Sequence, residues 1–255
     1  MTTDTTLRTE DVPQAFDRAA GRYDLMVALN PGYHRHLRSA AAALVERLAP
    51  GRSTTRVLDL GCGSGASSLA LLEQLATEPG LKVVGVDASE GMLEQARRKP
   101  WPGTISFHHG LAEDLAGCRD DWELGGPVDG VFAAYLFRNV TERDKVLASV
   151  HDLLNDGGVL VAQEYSVAGS PRAQVVWSLV CWSVVIPLSF FTRGETRLYR
   201  YLWRSVRAFD SVQTFTDRLQ AAGFIDVEVR TVPGWQRGIL HTFRARKPGA
   251  TTMLP

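Results

Sequence analysis

The stretch VLDLGCGSGASS, Val57 to Ser68, passes from an apolar, strand-like segment through three glycines at alternate positions into small and apolar residues. A strand-to-helix turn in which Gly61, Gly63 and Gly65 replace side chains can bring peptide groups against a ligand. A purely structural turn is the other reading of those glycines. Asp87 weakens it: this acidic residue ends the next apolar run, twenty-two positions after Gly65, where a carboxylate can accept hydrogen bonds from ribose hydroxyls. Dinucleotide folds use the spacing G-x-G-x-x-G around a pyrophosphate. Here the third glycine comes one residue early, and Asp59 sits inside the approach. A carboxylate there repels a pyrophosphate but can orient the ammonium group of an amino-acid tail, such as that of S-adenosyl-L-methionine (SAM).

Working outward, strand-like runs alternate with segments of helical period, which predicts a parallel sheet covered by helices on both faces. The strands are expected at 56–60, 82–86, 105–108, 130–134, 159–164, 225–231 and 240–245, and helices at 67–75, 90–98, 143–154 and 212–222. Asn155 to Gly158, "NDGG", reads as a helix-ending turn. Two regions stand outside the rhythm. The expected organisation is a tail at 1–10, an N-terminal helical cap at 11–50, a SAM-binding core at 51–167, a helical insertion at 168–209, the end of the sheet at 210–247 and a second tail at 248–255.

Across its 255 residues the chain balances 28 Lys and Arg against 28 Asp and Glu, so no global field draws it to nucleic acid. Three cysteines, Cys62, Cys118 and Cys181, share no metal or redox spacing and fit reduced thiols in a cytoplasmic protein. His34/His36 and His108/His109 lack metal-ligand spacing and read as surface or core histidines.

At this point the sequence resembles the class I SAM-dependent methyltransferases. VLDLGCGSG is similar to their first motif, and VVGVDASEGML, Val83 to Leu93, to their second. The resemblance implies an α/β fold, a doubly wound, Rossmann-like seven-stranded sheet with N-terminal helices and an insertion before the sixth strand. It also implies SAM as cofactor. Asp59, Gly61, Cys62, Gly63 and Gly65 are then expected along its methionine part, Asp87 on its ribose, and Ala88 to Met92 beside its adenine.

From about Phe16 to Lys247 the chain resembles one branch, the ubiquinone/menaquinone biosynthesis C-methyltransferases. FDRAAGRYDLM, LFRNVTERDKVL, LYRYLWRSVRAF and LQAAGF are similar to that family's segments, Arg138-Asn139-Val140 being the most specific. The chain departs from the pattern at Val27, at Leu136 and Phe137, and at Leu111, where many members carry Asp or Asn facing the adenine amino group. Glu113, Asp114 or a backbone carbonyl is expected to substitute.

Methylating a ring carbon beside a phenolic hydroxyl requires alignment of carbon and methyl and stabilisation of the phenolate. Arg138, just past the fourth strand and always protonated, is expected to supply that stabilisation, directly or through a water. Asn139 would position the water or a quinol oxygen. Tyr23 is a second polar candidate and His241 a lower-ranked base. Arg138 paired with Asp24 or Glu164, Tyr23 simply packed, and His241 as a packed strand residue are the alternatives. By the resemblance no metal is needed.

Val175 to Phe191 is an uncharged apolar run, short for a membrane span and interrupted by Pro187, which predicts a buried or interfacial helix. Arg193, Arg197, Arg200, Arg204 and Arg207 follow at helical spacing, with Leu198, Tyr201, Leu202 and Val206 as apolar neighbours and Tyr199 and Trp203 suited to an interface. A basic amphipathic helix beside an apolar segment suits an anionic bilayer. A solvated helix face is the plainer alternative. Three functions remain: C-methylation of a reduced polyprenyl quinone, C- or O-methylation of a soluble aromatic or polyketide metabolite, and SAM binding without methyl transfer. A homodimer is left open.

Overall fold

Every residue from Val128 to Ala134 is buried, and so are Val57 to Leu60. Runs of this kind suit strands covered on both faces. The computed structural model describes residues 11–28, 30, 32–48, 53–187 and 196–249, with the side chains of 22–28 and 196 outside that description. In chain order come α1 (Val12–Ala28), α2 (Tyr33–Val45), β1 (Arg56–Leu60), α3 (Ala66–Leu75), β2 (Lys82–Asp87), α4 (Glu90–Arg97) and β3 (Ile105–His109). They are followed by β4 (Val128–Ala134), α5 (Arg143–Leu153), β5 (Leu154–Tyr165), α6 (Pro171–Val180), α7 (Thr196–Ala208), α8 (Val212–Ala221), β6 (Ile225–Thr231) and β7 (Leu240–Arg246).

The seven strands form one sheet of order β3-β2-β1-β4-β5-β7-β6. β1 to β5 are parallel, and β7 lies antiparallel to both β5 and β6. This is the doubly wound, Rossmann-like architecture of the class I methyltransferases. On one face Leu37, Leu44, Leu71 and Leu75 from α2 and α3 pack with Val57, Val83 and Phe132. On the other, Val146, Leu147, Val150 and Phe215 from α5 and α8 pack with Leu58, Val131 and Phe243. The outer strand β6 is mostly exposed and carries a register shift between Ile225 and Glu228. Arg244 of β7 is buried and bonds Glu46, beyond α2, at 2.8 Å, as well as Glu228 of β6.

The NDGG turn differs from expectation. α5 runs straight into β5, which pairs with β4 at Val128↔Leu154 and again at Gly130↔Val159, so residues 155–158 bulge out of the ladder. Asp129 holds the bulge, accepting from Asn155 Nδ2 at 2.7 Å and from Arg56 N at 2.9 Å.

As far as Pro187 the apolar run is helical and two-sided. α6 is capped by Ser170, has Pro171 in its first turn, and continues into a wider turn from Cys181 to Val185. Trp177 and Cys181 are buried, whereas Val175, Leu179, Trp182 and Val184 are exposed. On α7, Leu198, Tyr199, Tyr201 and Val206 are buried, so these residues are not the apolar surface the sequence suggested around the arginines. Arg197, Arg200, Arg204 and Arg207 are exposed. Arg193, like residues 1–10, 188–195 and 250–255, lies outside the described residues.

Candidate active site

Beyond Leu60 the backbone turns through Gly61, Gly63 and Gly65 at φ 78°, 53° and 89°, a left-handed region that disfavours any Cβ. Packing adds a second constraint. A Cβ at Gly65 would stand 2.7 Å from the Trp101 ring, and one at Gly61 would stand 3.0 Å from Leu136. Gly61 N and Cys62 N both donate to Val86 O, at 2.7 and 3.0 Å, bending the turn across the end of β2.

Asp59 lies beneath this turn and is completely buried. One carboxylate oxygen accepts from Ser67 Oγ at 2.7 Å and Ser68 Oγ at 2.6 Å; the other has no hydrogen-bond partner among the described residues. Burial pushes the Asp59 carboxyl up to about 7, with the two serine hydroxyls working against that rise.

A cavity of about 550 Å³ opens above the C-terminal ends of β1, β2 and β4, the ligand edge of such sheets. Gly61, Cys62 and Gly63 line it from the turn, and Asp87, Ala88, Met92 and Glu113 from the neighbouring loops. Asp59 and Gly65, expected among the contact residues, do not reach its wall and shape it from below. Asp87 accepts from Gly63 N at 2.7 Å and from Ser89 N at 2.9 Å, one bond per oxygen. Each oxygen keeps acceptor capacity for a ligand hydroxyl. Burial raises the Asp87 carboxyl above its ordinary range, while the Ser89 and Gly63 amides pull it down. Glu113 accepts from Thr141 N at 3.1 Å.

The N-terminal helix forms the roof. Val12, Pro13 and Phe16 of α1 line the cavity, and Asp17 Oδ1 accepts from Ser89 Oγ at 2.5 Å and Gly91 N at 2.9 Å. Asp17 therefore joins the roof to the start of α4. Tyr23 lies on the same helix, but its side chain falls outside the described residues.

A second wall is made by Tyr33, Tyr135, Leu136, Arg138 and Asn139. Tyr135, immediately after β4, has φ 61°, an unusual conformation for a non-glycine residue and one that marks strained functional sites. Its hydroxyl accepts from Gln163 Nε2 at 2.6 Å. Its ring stacks on Tyr33 and Tyr165 at 5.3 and 5.2 Å, and Tyr165 meets Trp177 of α6 at 4.9 Å. Burial pushes both the Tyr135 and the Tyr165 hydroxyls up, so neither is a base.

Arg138 is buried, and its guanidinium donates to Glu164 Oε2 at 3.0 Å, while its backbone N donates to Glu164 Oε1 at 3.4 Å. Of the two carboxylates the sequence offered as ion-pair partners, Glu164 is the one described at contact distance. The guanidinium also lies 5.5 Å from the centre of the Tyr135 ring. Asn139 donates to Tyr135 O at 3.3 Å and accepts from Tyr201 of α7 at 3.3 Å, which ties the insertion to the site. His241 is buried on β7, opposite Glu164, and does not line the cavity. Burial lowers its pKa.

The histidine pairs lie elsewhere: His108 meets Ser106 and His109 the carbonyl of Ala88, while His36 is buried under Gly32. Sequence reasoning missed Asp17, Tyr33, Tyr135 and the stack behind it. Their signal was only that Tyr135 directly follows one strand and Tyr165 closes another at the ligand edge.

Comparison with known proteins gives a family match. The ubiE/COQ5 methyltransferase family model matches residues 4–247. A demethylmenaquinone methyltransferase from Clavibacter sepedonicus is 31% identical over 257 residues, covering 100% of this chain and 98% of that protein. Among solved structures, the [4+2]-cyclase SpnF superposes with a TM-score of 0.64 at 15% identity, covering 96% of this chain and 98% of that one. Phosphoethanolamine N-methyltransferase 2 of Haemonchus contortus, in complex with SAM, gives a TM-score of 0.58 at 18% identity, covering 91% of this chain and 57% of that one. Such low identities speak for the fold alone.

Proposed function

Because the chain belongs to the ubiE/COQ5 methyltransferase family, we propose that it transfers the methyl group of SAM to a ring carbon of a reduced polyprenyl quinone. The cavity residues fit that cofactor. The partnerless Asp59 oxygen under the turn suits an ammonium group reached through the loop or a water, the glycines leave room for the methionine part, and Asp87 has acceptor capacity for ribose hydroxyls. Ala88, Met92 and Glu113 are assigned to the adenine. When bound, SAM supplies an activated sulfonium methyl group, and the protein's task is alignment and charge.

The observation that carries the reading is Arg138 with Asn139 on the cavity wall, fixed by Glu164 and Tyr201. A guanidinium held there stabilises negative charge developing on a quinol oxygen, and Asn139 orients that oxygen or a bridging water. The test is incubation with methyl-labelled SAM and a dithionite-reduced short-chain demethylmenaquinone. Label on a ring carbon is the expected result. Absence of label, with SAM binding demonstrated in the same preparation, would move the assignment to a soluble aromatic acceptor. One of the departures from the family pattern gives that alternative little support: Phe137 packs on Phe215 inside the core.

Membrane contact belongs to the same reading. Among the described residues no helix is long and apolar enough to cross a bilayer. Exposed Val175, Leu179 and Trp182 on and beyond α6 lie beside the exposed arginines of α7, with Arg200 6.0 Å from the Trp182 ring. That surface suits an anionic lipid interface, each arginine adding about 1 kcal/mol. Flotation with neutral and anionic vesicles tests it, the expected result being recovery with anionic vesicles that Arg197→Glu plus Arg204→Glu abolishes.

A further inference from the structure

Glu164 is fully buried at the end of β5, and the alignment of acceptor and cofactor uses it only as an anchor for Arg138. Removing a carboxylate from water is unfavourable, and a buried ion pair seldom recovers that free energy as stability. A leucine and a methionine would pack the same space without the desolvation. Both Glu164 oxygens are instead turned to the Phe137–Arg138 segment: the Arg138 guanidinium and backbone N each donate to one of them, and the Phe137 backbone N–H also bonds the carboxylate. Arg138 lines the cavity; Glu164 does not reach it.

Ring methylation beside a hydroxyl releases one proton overall, and the hydroxyl proton must move first if its oxygen is to push electrons into the ring. Arg138 alone cannot accept it, because a guanidinium is already protonated. Among the described residues the other titratable groups lining the cavity are poorly suited: Asp87 and Glu113 already receive backbone N–H groups, Glu142 is paired with Lys145, and burial pushes the Cys62 thiol up. Tyr33 and Tyr135 are phenols, and the Tyr135 hydroxyl is held by Gln163.

Building on the methyl-transfer reading above, we propose that Glu164 holds the acceptor's hydroxyl proton during methyl transfer, working through Arg138. The acceptor's O–H bond breaks, and its proton passes to a guanidinium nitrogen, directly or through one water, as a guanidinium N–H proton passes to Glu164. Arg138 thus keeps its charge throughout. The oxygen's electron pair moves into the ring, the C–CH3 bond forms, and the S–CH3 bond breaks with its pair remaining on sulfur. The proton on the methylated carbon then leaves to water, and Glu164 returns its proton through Arg138 to the oxygen. Glu164 is a positioning residue in this scheme, since it touches neither acceptor nor cofactor.

The groups that face this pair are few. Among the described residues, besides Arg138 itself, they are His241 across from Glu164 on β7, Tyr135 beneath the guanidinium, Tyr165 at the end of β5, Tyr201 reaching Asn139 from α7, and Arg143 of α5, which donates to Phe137 O and pairs with Asp210. Burial holds the Glu164 carboxyl above its ordinary range despite the pull of Arg138, which brings it nearer to the proton it must take.

The test compares two acceptors, a reduced short-chain demethylmenaquinone and its 5,6,7,8-tetrafluoro analogue, whose hydroxyls ionise at lower pH. Rates at saturating acceptor are followed from about pH 6 to 9 for the wild type and Glu164→Gln, with SAM affinity measured in parallel. The expected result is a loss on the order of 100-fold on the parent quinol, a much smaller loss on the fluorinated one, and unchanged SAM affinity. Equal losses on both acceptors would overturn the proposal, because a carboxylate that merely orients Arg138 has no reason to distinguish them. Should Glu164→Gln fail to bind SAM, the wild type decides: a low-pH fall on the parent that is absent on the fluorinated acceptor supports the proposal, and parallel profiles overturn it. If the wild type methylates neither, the quinol assignment itself fails and this proton path falls with it.

Discussion

One wall of the cavity comes from two short segments, one between Leu60 and Ser67 and one between Val86 and Met92, and is made largely of backbone: left-handed glycines, the amides of Gly63 and Ser89, and the carboxylate that receives them. The neighbouring wall is assembled from Tyr33 on α2 and Tyr135, Leu136, Arg138 and Asn139 after β4, backed from outside the cavity by Glu164 on β5 and Tyr201 on α7. A backbone wall recognises a ligand common to many enzymes and leaves few side chains to vary. A side-chain wall drawn from distant elements can change its acceptor one residue at a time, and here it departs from the family pattern at Leu136.

If the two walls are separable, mutations should divide between them. The largest effect is expected from Arg138→Met, a loss of roughly 10²–10³-fold in turnover with SAM affinity almost unchanged, read by steady-state kinetics and calorimetry. A parallel loss of SAM affinity would break the division. Asp59 lies under the cofactor wall and tests its foundations. Its folded pKa of about 7 stands above its ordinary 3.8, so its contribution to stability is fully present below about 3.8 and is lost as pH rises through about 7. Asp59→Asn should remove that slope, worth on the order of 4 kcal/mol, and thermal unfolding of the ligand-free protein between these pH values would read the difference. Asp87→Ala should weaken SAM binding roughly 10- to 100-fold with little change in turnover once SAM is saturating. The smallest effect is expected at the roof that both walls share: Asp17→Ala should speed SAM release about fivefold, measured by stopped flow, without altering acceptor preference.

The same contrast explains what could be read in advance. The glycine turn, Asp87 at the end of β2, and most strand and helix positions rest on local chain chemistry, and the structure has them within a residue or two of expectation. Arg138 was found because its segment resembles a family motif. Asp17 reaches Ser89 across 72 residues, and Tyr135 meets Tyr33 only once α2 has docked on the sheet. No window of sequence contains such contacts. The surface around the arginine stripe was misread for a related reason: helical spacing places Leu198, Tyr201 and Val206 on α7, but only packing decides that they face inward.

The strand order has a consequence for synthesis. β7 follows β6 in the chain, yet it lies between β5 and β6, and its Arg244 joins Glu228 to Glu46, 198 residues earlier. While the polypeptide is still leaving the ribosome, β1 to β5 can pair as they emerge, but β6 waits without a neighbour and the open flank of β5 remains bare. A chain stalled before Leu240 would expose two unsatisfied strand edges, one of them apolar, and such edges invite aggregation. Completion of this enzyme is therefore a single late insertion, and quality control acting on nascent chains has most to do in that interval.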